Sequence, residues 1–331
     1  MIVIIYEKIM SNKKSFYGIG HCIVDYFAPK TSEAVFSVLN QKSPLHLEEK
    51  EFSEIFSQVK PSIKKTGGTT ANILKTIGKL GEKCVFTGAA GSGDGKLDED
   101  GEFFQEEMSK IGVECQLFTK GASTGRFLWI SKDDGERLIA VNVGAAKQLD
   151  ASQINESRFS NSYCFIMEGM QFLNQHIVER VVDLSFRYNV PLVVDCGTLF
   201  GAEAVGKVLL DVSHSVDIIL FANENEIQVL EKYIEKPWEC CFAFVEKLGE
   251  KGAKLYFADE EFFQEVAFSS EISNSSIIDD TGAGDAFAGG FLQSVFSDSE
   301  KTLLDLSFED MKNAMKKGTE EAYKVLSDFG V

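Results

Sequence analysis

Two glycines, Gly282 and Gly284, stand directly before an aspartate in "IIDDTGAGDAFAGGFL", residues 277–292. A glycine-rich turn that opens a helix directs backbone N–H groups at an anion, and the helix dipole adds partial positive charge at the same place. Thr281-Gly282-Ala283-Gly284 has the composition of such a turn, and the small and apolar residues after it continue at helical length. The stretch therefore predicts an anion-binding site at a helix N-terminus.

Asp285 follows this turn directly, in the first turn of the predicted helix. A carboxylate there does not suit a phosphate ligand, but it suits a base that takes the proton of a hydroxyl attacking phosphorus. The helix terminus favours the carboxylate by about 0.3–1 kcal/mol, so we expect Asp285 to be ionised near neutrality. The alternative is a tight strand-to-helix turn in which this aspartate only caps the helix.

The overall charge restricts how an anion could be held. The 331 residues carry a formal net charge of −18, so a basic footprint for nucleic acid is not expected. An anionic ligand must be bound by helix N-termini, a few cations or a metal ion.

No apolar run reaches the roughly 18–20 residues that a membrane-spanning helix needs. The seven cysteines form an odd set without a CxxC pair, as expected for reduced thiols in a cytoplasmic protein.

Strand-like and helix-like segments alternate along the chain. Near-continuous apolar runs such as "SYCFIME" and "PLVVDCG" are typical of parallel strands covered on both faces. Helical patterns separate such runs, for example "TTANILKTIGKL" and "HIVERVVDLSFRYN". Strand, helix and strand at this spacing indicate right-handed βαβ units and an α/β fold.

One segment interrupts this alternation. In "RFLWISKDDGERLIAVNV", residues 126–143, Asp134-Gly135 is a strong turn signal between two strand-like runs and predicts a hairpin. A small β flap of this kind would lie over the carboxyl edge of the sheet, where α/β folds bind ligands. Near the start, "SFYGIGHCIVDYFA" is predicted to be one strand around a glycine kink.

The motif "DDTGAGDAFAGGFL" closely resembles the C-terminal signature of the ribokinase-like (PfkB) carbohydrate kinases, D-T-x-G-A-G-D. Three further elements are similar to that family and occur in its order: "TGGTTANILKTIGKLG" to the Gly-Gly-x-x-x-Asn signature, "FANENEIQVL" to the Asn-x-x-Glu element, and "KLGEKGA" to the nucleotide-side loop. "YGIGHCIVD" resembles the family's opening strand, and the resemblance covers roughly residues 16–327.

The resemblance implies a ribokinase-like fold, in which helices flank a central, mostly parallel sheet and a small β-sheet forms a lid. The kinase domain would span residues 11–331, with the lid built from about 22–45 and 114–143. Residues 1–10 would be an N-terminal extension, with Met10 as an alternative start to Met1. A homodimer formed through the lids is also implied.

The activity that the resemblance implies is ATP-dependent phosphorylation of a primary hydroxyl on a sugar or nucleoside. Asp285 would be the base. The anion hole would be formed by three consecutive backbone N–H groups, those of Gly282, Ala283 and Gly284. The hydroxyls of the acceptor would be held by four residues: Asp25, Gly67, Gly68 and Asn72.

The nucleotide side is assigned in the same way. Five residues would contact ATP: Asn223, Lys247, Gly249, Gly252 and Thr281. Glu226 would act indirectly, through the shell of a Mg²⁺ ion. Asp279 and Thr281 match positions that bind a monovalent cation such as K⁺ in some members of the family.

The identity of the acceptor stays open at this point. "LFANENE" and "TGRFLWI" favour the adenosine-kinase-like branch, with adenosine as the leading single candidate. "GGTTANIL" also fits fructokinase-type and ketodeoxygluconate-kinase-type members. The chain departs from the family pattern at Asp280, at Lys247 and in the expanded loop "GSGDGKLDEDGEFF", residues 91–104.

Individual assignments have simpler alternatives. Asp25 could be a turn residue at a strand end, and Asn72 could cap the helix that follows Gly68. Glu226 could be a solvated carboxylate on a helix face. Arg126 on the flap is expected to be a surface cation that does not reach the substrate.

Three other classes of protein match parts of the sequence. "GASTG" with Asp195 and His214 has the order of a hydrolase triad, but a strand-like run follows Ser123 where a nucleophile elbow needs a helix. The loop from Lys96 to Glu107 matches part of a calcium-binding EF-hand, but a lysine occupies its first position. A catalytically silent binding protein on the kinase scaffold is the third alternative, and the intact Asp285 motif argues against it.

Overall fold

The computed structural model describes residues 14–28, 44–93, 95–131, 137–257, 260–265, 282–298 and 301–326. Several expectations concern residues outside these ranges: the N-terminal extension 1–10, the lid residues 29–43, the Asp134-Gly135 turn, and the cation-site candidates Asp279 and Thr281.

Two sheets are present, with strands numbered along the chain. The larger sheet contains β1 (Ser15–Ile19), β5 (Cys84–Gly93), β6 (Lys96–Leu97), β7 (Val113–Lys120), β10 (Ser162–Glu168), β11 (Leu192–Asp195), β12 (Ile218–Asn223), β13 (Ala243–Lys247), β14 (Gly252–Phe257) and β15 (Glu260–Glu265). The smaller sheet contains β2 (Ile23–Ala28), β3 (Leu45–His46), β4 (Ile63–Gly67), β8 (Gly125–Ser131) and β9 (Arg137–Asn142).

The larger sheet is mostly parallel, as the apolar runs predict. Its order is β15-β14-β13-β12-β11-β10-β1-β5-β6, with β7 also paired to β5. Parallel pairing runs from β7 through β5, β1, β10, β11 and β12 to β13, whereas β14 and β15 complete one edge antiparallel. The carboxyl ends of the parallel strands therefore meet along one edge of the sheet.

Helices cover both faces of this sheet. The described helices, of which α1 packs on the smaller sheet instead, are α1 (Glu49–Val59), α2 (Thr69–Lys79), α3 (Glu99–Lys110), α4 (Glu156–Ser160), α5 (Gln175–Tyr188), α6 (Leu199–Gly206), α7 (Leu209–Ser213), α8 (Glu224–Leu230), α9 (Ala283–Val295) and α10 (Phe308–Val325). Apolar residues of α2, α3, α9 and α10 pack on one face, and those of α4 to α8 pack on the other. In the described part of the chain, none of the helices combines the length and hydrophobicity that crossing a bilayer requires.

The smaller sheet has the order β3-β9-β8-β2-β4 and forms the lid. Strands β8 and β9 pair antiparallel, which confirms the predicted hairpin. "SFYGIGHCIVDYFA" differs from the single strand expected, because the chain leaves the larger sheet after Ile19 and enters the lid at Ile23. The lid also differs from the expected ranges: Val113–Lys120 pairs with β5 in the larger sheet, and β4 joins the lid instead.

Helix α1 packs against one face of the lid. Phe52 is fully buried there among Ala28, Leu128, Ile130 and Ala140. Because side chains alternate across a strand, the opposite face carries the intervening residues. Asp25 is one of these, so the lid presents Asp25 on the face that α1 leaves uncovered.

Candidate active site

The glycine-rich turn opens a helix, as the sequence predicts. Gly282 precedes α9 with φ 81°, a left-handed conformation that glycine adopts without strain, and no side chain caps the helix there. The first ladder bond of α9 is donated by the N–H of Ala286 to the carbonyl of Gly282. The N–H groups of residues 282–284 have no acceptor among the described residues. They are therefore available to an anionic ligand.

Asp285 lies next to these N–H groups and is half-buried. The Nδ2 atom of Asn72 donates a hydrogen bond to its Oδ2 atom at 2.9 Å. Burial and the negative charge of Asp195 raise the pKa of Asp285 to about 7, against the lowering effects of Lys247 and Asn72. With this pKa Asp285 is only partly ionised at neutrality, less than the expectation that it stays ionised there, because desolvation outweighs the helix terminus.

Polar residues end four neighbouring strands beside Asp285. Glu168 ends β10 and is paired in register with Asp195, the last residue of β11. Asn223 ends β12 and is in register with Lys247, the last residue of β13. From the sequence, Asn223 and Lys247 were assigned binding roles, whereas Glu168 and Asp195 were not. Each of these two acids nevertheless ends a buried apolar run. That position at the carboxyl edge was the available signal.

Lys247 is a largely buried cation at this edge of the sheet, and not a surface lysine. Its Nζ atom lies 2.9 Å from Oδ1 and 2.7 Å from Oδ2 of Asp195, which is fully buried. Burial by itself would lower the pKa of Lys247, but the carboxylates of Asp195, Glu226 and Asp285 together hold it above its ordinary value. A Cβ atom on Gly284 would lie 3.3 Å from this Nζ, so the ammonium borders the start of α9.

Asn223 and Glu226 bind each other at the start of α8. The Asn223 side chain accepts hydrogen bonds from the N–H groups of Asn225 and Glu226, and the N–H of Asn223 donates to Oε2 of Glu226 at 2.8 Å. Glu226 is 2% exposed, which excludes the solvated carboxylate. Burial raises the pKa of Glu226, and the neighbouring Asp195 adds to this effect.

The acceptor-side residues lie where β2, β4 and α2 meet. Asp25 is buried within β2, so it is not a turn residue, and a Cβ on Gly67 would lie 2.2 Å from its Oδ2. Gly68 precedes α2 with φ 96°, and a Cβ there would lie 2.4 Å from the carbonyl oxygen of His21. Asn72 lies inside α2 and does not cap it, since the cap is Gly68.

Two buried polar groups that sequence reasoning missed support these residues. Lys75 is 6% exposed, and its Nζ donates to the carbonyl of Thr66 at 3.1 Å. Glu168 accepts a hydrogen bond from the N–H of His21 at 2.9 Å and pairs with the imidazole of the same residue. Burial would raise the pKa of Glu168, but His21 holds it below its ordinary value. No sequence signal marks Lys75, because lysines are rarely buried.

The uncovered lid face is aromatic beside Asp25. Phe27 and Trp129 stack with ring centroids 6.0 Å apart and an interplanar angle of 11°. Phe127 and Trp129 are half-buried, and the indole Nε1 of Trp129 has no acceptor within the described ranges. Arg126 projects from the other face, over the ring of Phe52. This orientation agrees with the expectation that Arg126 does not reach the substrate.

The remaining assigned residues lie in the loop after β13. Gly249 begins a 3₁₀ turn, Gly249–Lys251, with φ 58°, and Gly252 ends it with φ 112°. A Cβ on Gly249 would contact nothing within 4 Å, so the loop is open at that point. Neither glycine contacts the residues around Asp285 in any described interaction.

The rival sites are not assembled. Ser123 precedes strand β8 instead of a helix, and Asp195 is engaged by Lys247, so no hydrolase triad forms. Residues 99–107 of the calcium-like loop lie in helix α3, and Asp98 caps that helix by accepting the N–H of Gly101.

Comparison with known proteins gives the family context. The sequence pattern described as "pfkB family carbohydrate kinase" matches residues 47–330. A protein of Arabidopsis thaliana named "Probable fructokinase-5" is 26% identical over 260 residues, which cover 71% of this chain and 75% of that protein.

Solved structures have the same fold. A probable sugar kinase from Rhizobium etli CFN 42 superposes with a TM-score of 0.80 at 21% identity, covering 96% of this chain and 94% of the other. The adenosine kinase of Sinorhizobium meliloti gives a TM-score of 0.79 at 21% identity, with 96% and 95% covered. At this level of identity the likeness establishes the ribokinase-like α/β fold.

Proposed function

Since the chain belongs to the pfkB family of carbohydrate kinases, we propose that it transfers the γ-phosphoryl group of ATP to a primary hydroxyl of a sugar or ribonucleoside. Asp285 is the base in this proposal, and the N–H groups of residues 282–284 form the anion hole. The observation that carries the proposal is that these N–H groups lack acceptors among the described residues beside a carboxyl group that titrates near neutrality.

The chemistry follows from this arrangement. The acceptor oxygen forms a bond to the γ-phosphorus while the bond to the bridging oxygen breaks, and ADP leaves with the electron pair of that bond. The proton of the hydroxyl passes to Asp285, whose Oδ2 is held by Asn72. A base with a pKa of about 7 is better matched to this task than an ordinary carboxylate. The N–H groups of residues 282–284 bind the phosphoryl oxygens as charge develops on them.

The residues present fit a Mg²⁺ ion that arrives with the nucleotide. In the described part of the chain, no three acidic, histidine or cysteine side chains are grouped to hold a metal directly. Mg²⁺ commonly keeps several waters and binds through substrate phosphates, so such a group is not required. Asn223 and Glu226 would face its water shell, and the ion would supply charge neutralisation at the phosphates. Three carboxylates act on the ammonium of Lys247, those of Asp195, Glu226 and Asp285. Because this lysine is already compensated by them, the phosphates of ATP would need the positive charge of the ion.

The nucleotide would otherwise be held by Lys247 and by the loop of Gly249 and Gly252. Thr281 belongs to the same proposal, as does a K⁺ site at Asp279 and Thr281, although these two residues lie outside the described ranges. On the acceptor side, Asp25 and Asn72 would bind hydroxyls, and Gly67 and Gly68 would allow close approach.

The test is the variant Asp285→Asn. General base catalysis contributes about 10²–10⁴-fold, so turnover should fall by that factor while the affinity for the acceptor is largely retained. The matched control is Asp183→Asn, which changes an exposed carboxylate on α5. Activity of Asp285→Asn within about tenfold of the wild type would rule out its role as base.

Adenosine is the leading acceptor in this proposal. The lid face beside Asp25 offers a stacked pair, Phe27 and Trp129, and the half-buried ring of Phe127. Flat aromatic surface favours a nucleobase, whose planar ring stacks on aromatic side chains. The indole N–H of Trp129, which has no acceptor among the described residues, would pair with a ring nitrogen of the base.

The alternative acceptor is a simple sugar, as in fructokinase-type or ketodeoxygluconate-kinase-type members. The Arabidopsis relative named a probable fructokinase favours it. Thermal-shift measurements against nucleosides and hexoses, followed by ATP turnover with the same panel, distinguish the two acceptors. Clear binding of a ligand without any turnover would instead indicate a silent binding protein.

Oligomeric state and location stay predictions. A homodimer through the lids must leave the packing of α1 on one lid face intact, which restricts the contact to the strand edges or the Asp25 face. Size-exclusion chromatography with light scattering tests for this homodimer.

A cytoplasmic location is supported by the cysteines, all seven of which are free thiols.

A further inference from the structure

Lys75 is a buried cation between the acceptor side and the base. Its Nζ atom lies 3.1 Å from the carbonyl oxygen of Thr66 and 3.5 Å from Oδ1 of Asn72. Both partners are acceptors, so the nitrogen of Lys75 donates to each of them. The residue is 6% exposed on α2, in a stretch that is otherwise core.

The position of Lys75 determines how the side-chain amide of Asn72 is oriented. A carboxamide has an oxygen that accepts and a nitrogen that donates, and the two ends have almost the same shape. With the oxygen toward Lys75, the nitrogen of Asn72 faces Oδ2 of Asp285 at 2.9 Å. The flipped amide would place two donors together at Lys75 and two acceptors together at Asp285. When Lys75 is protonated and Asp285 is ionised, only one orientation satisfies both neighbours.

We propose that Lys75 is a positioning residue for phosphoryl transfer: through Asn72 it holds one oxygen of Asp285 and leaves the other for the acceptor hydroxyl. This inference rests on the proposed role of Asp285 as base. Lys75 does not touch the reacting atoms; it acts on Asp285 through the amide of Asn72 and through its own charge.

The same nitrogen also fixes the end of a lid strand. Thr66 precedes Gly67 in β4, and Gly67 packs directly on the carboxylate of Asp25. Lys75 thus ties the Gly67 end of β4 to α2, the helix that carries Asn72. The acceptor-binding side and the base are connected through one side chain.

Charged groups around Lys75 and Asp285 determine the pH at which these two residues act. Burial and the nearby Lys79 lower the pKa of Lys75 to about 7, while Asp25 and Asp285 oppose this and Lys65 adds to it. The groups that face Asp285 are Asp195, Lys247, Asn72 and Glu168. Loss of the Lys75 charge and of the ordered amide both disfavour the carboxylate form of Asp285. Removing Lys75 should therefore move the acid limb of the activity profile to higher pH.

The experiment compares Lys75→Met with Lys79→Met in the full-length chain, with ATP and the best acceptor of the panel. Lys79 is an exposed lysine one turn further along the same helix, so its variant controls for the loss of a nearby positive charge. For Lys75→Met we expect kcat at pH 7 to fall about 10–100-fold and to recover partly at pH 9. The KM for ATP should change less than about threefold, and Lys79→Met should stay within about twofold of the wild type.

A double variant separates positioning from structural support. If Lys75 acts through Asn72, then Lys75→Met adds little to the loss already caused by Asn72→Ala. Lys75→Arg keeps the donors and should restore part of the activity that Lys75→Met loses. Additive losses, or an acid limb that does not move, would overturn the proposal.

Two outcomes keep this inference distinct from the proposed function. If Asp285→Asn is active, the proposed function itself is wrong. If Asp285→Asn is inactive but Lys75→Met has the kcat and acid limb of the wild type, only the positioning role is wrong. Should Lys75→Met fail to fold in thermal denaturation, Lys75→Gln takes its place, and an acid limb at the wild-type pH in that variant would overturn the proposal.

Discussion

The ammonium group of Lys247 lies 2.7 Å from Oδ2 of Asp195, and this ion pair joins the ends of two strands, β13 and β11, across the strand between them. Asp195 is fully buried, and the Lys247 side chain is 15% exposed. Removing one member of such a pair leaves a buried charge without compensation, which costs about 3–5 kcal/mol. The pair therefore links the stability of the sheet to the electrostatics beside Asp285.

A first prediction concerns this pair. Lys247→Met should lower the free energy of unfolding by about 3–5 kcal/mol, and adding Asp195→Asn should recover part of that loss. Urea denaturation of the two single variants and the double variant measures the coupling. Lys251→Met is the control, since this exposed lysine pairs with Glu224 at 3.4 Å and should matter by less than about 1 kcal/mol. A double variant less stable than Lys247→Met would contradict the prediction.

A second prediction is a pH dependence of activity. The base must lose its proton to act, and the pKa of Asp285 is raised to about 7. We therefore expect kcat/KM for the acceptor to fall about tenfold for each pH unit below neutrality. Initial rates between pH 5 and 9 measure this, with Asp285→Asn as the variant that must lose the limb. A wild-type profile that is flat down to pH 5 would contradict it.

The same group gives a third prediction, for stability. The pKa of Asp285 is higher in the folded state than its ordinary value of 3.8, so the folded state binds more protons between about pH 4 and 7. Its contribution to stability is therefore lost as the pH rises through that range. Asp285→Asn should be more stable than the wild type at pH 8, by at most about 4 kcal/mol, and the difference should disappear near pH 4. Thermal denaturation at both pH values checks it; the opposite sign would contradict it.

Local patterns predict the elements that carry the site. The double glycine before "TTANILK" correctly places Asn72 in the first turns of α2, and the glycine-rich turn before Asp285 opens α9. Both predictions work because a helix start depends on residues that are adjacent in the chain. The carboxyl-edge acids Glu168 and Asp195 close apolar runs that were correctly predicted to be strands, although no binding role was assigned to them.

Tertiary contacts decide the rest, and no local pattern contains them. Lys75 is buried because residues 70–77 of α2 are covered on every side, which the sequence of this helix does not indicate. The pairing of Asp195 with Lys247 joins residues 52 positions apart, and the pKa of Asp285 is raised by packing from other elements. The lid was predicted incompletely because the short strand β4 is rich in lysine and has little apolar alternation.

A fourth prediction uses Gly284. A methyl group there would lie 3.3 Å from Nζ and 3.4 Å from Cδ of Lys247, at the end of a flexible side chain, so the fold should accommodate it. Alanine is also favoured over glycine in a helix by about 0.5–1 kcal/mol. Gly284→Ala should thus keep or raise the melting temperature while kcat falls at least about tenfold, because the methyl group enters the anion hole. Gly121→Ala, where a Cβ meets nothing, is the control. Unchanged kcat would argue against an anion hole at these N–H groups.

A fifth prediction concerns the expanded loop, which anchors the lid. Asp98 accepts hydrogen bonds from the N–H of Thr124 at 2.7 Å and from its hydroxyl, just before β8. Asp100 accepts the hydroxyl of Tyr26 at 2.5 Å and pairs with Lys64 at 2.7 Å, on β2 and β4. The start of α3 therefore fastens three lid strands to the core of the protein.

Loosening this anchor should weaken acceptor binding more than it slows the phosphoryl-transfer step. Asp100→Asn removes the charge that holds two strands, and we expect the KM for the acceptor to rise about three- to tenfold with kcat within about twofold. Glu107→Gln is the control, because this carboxylate lies on the exposed face of the same helix. Steady-state kinetics at saturating ATP measures both constants. A fall in kcat with unchanged KM would mean that the anchor acts on the base instead of the lid.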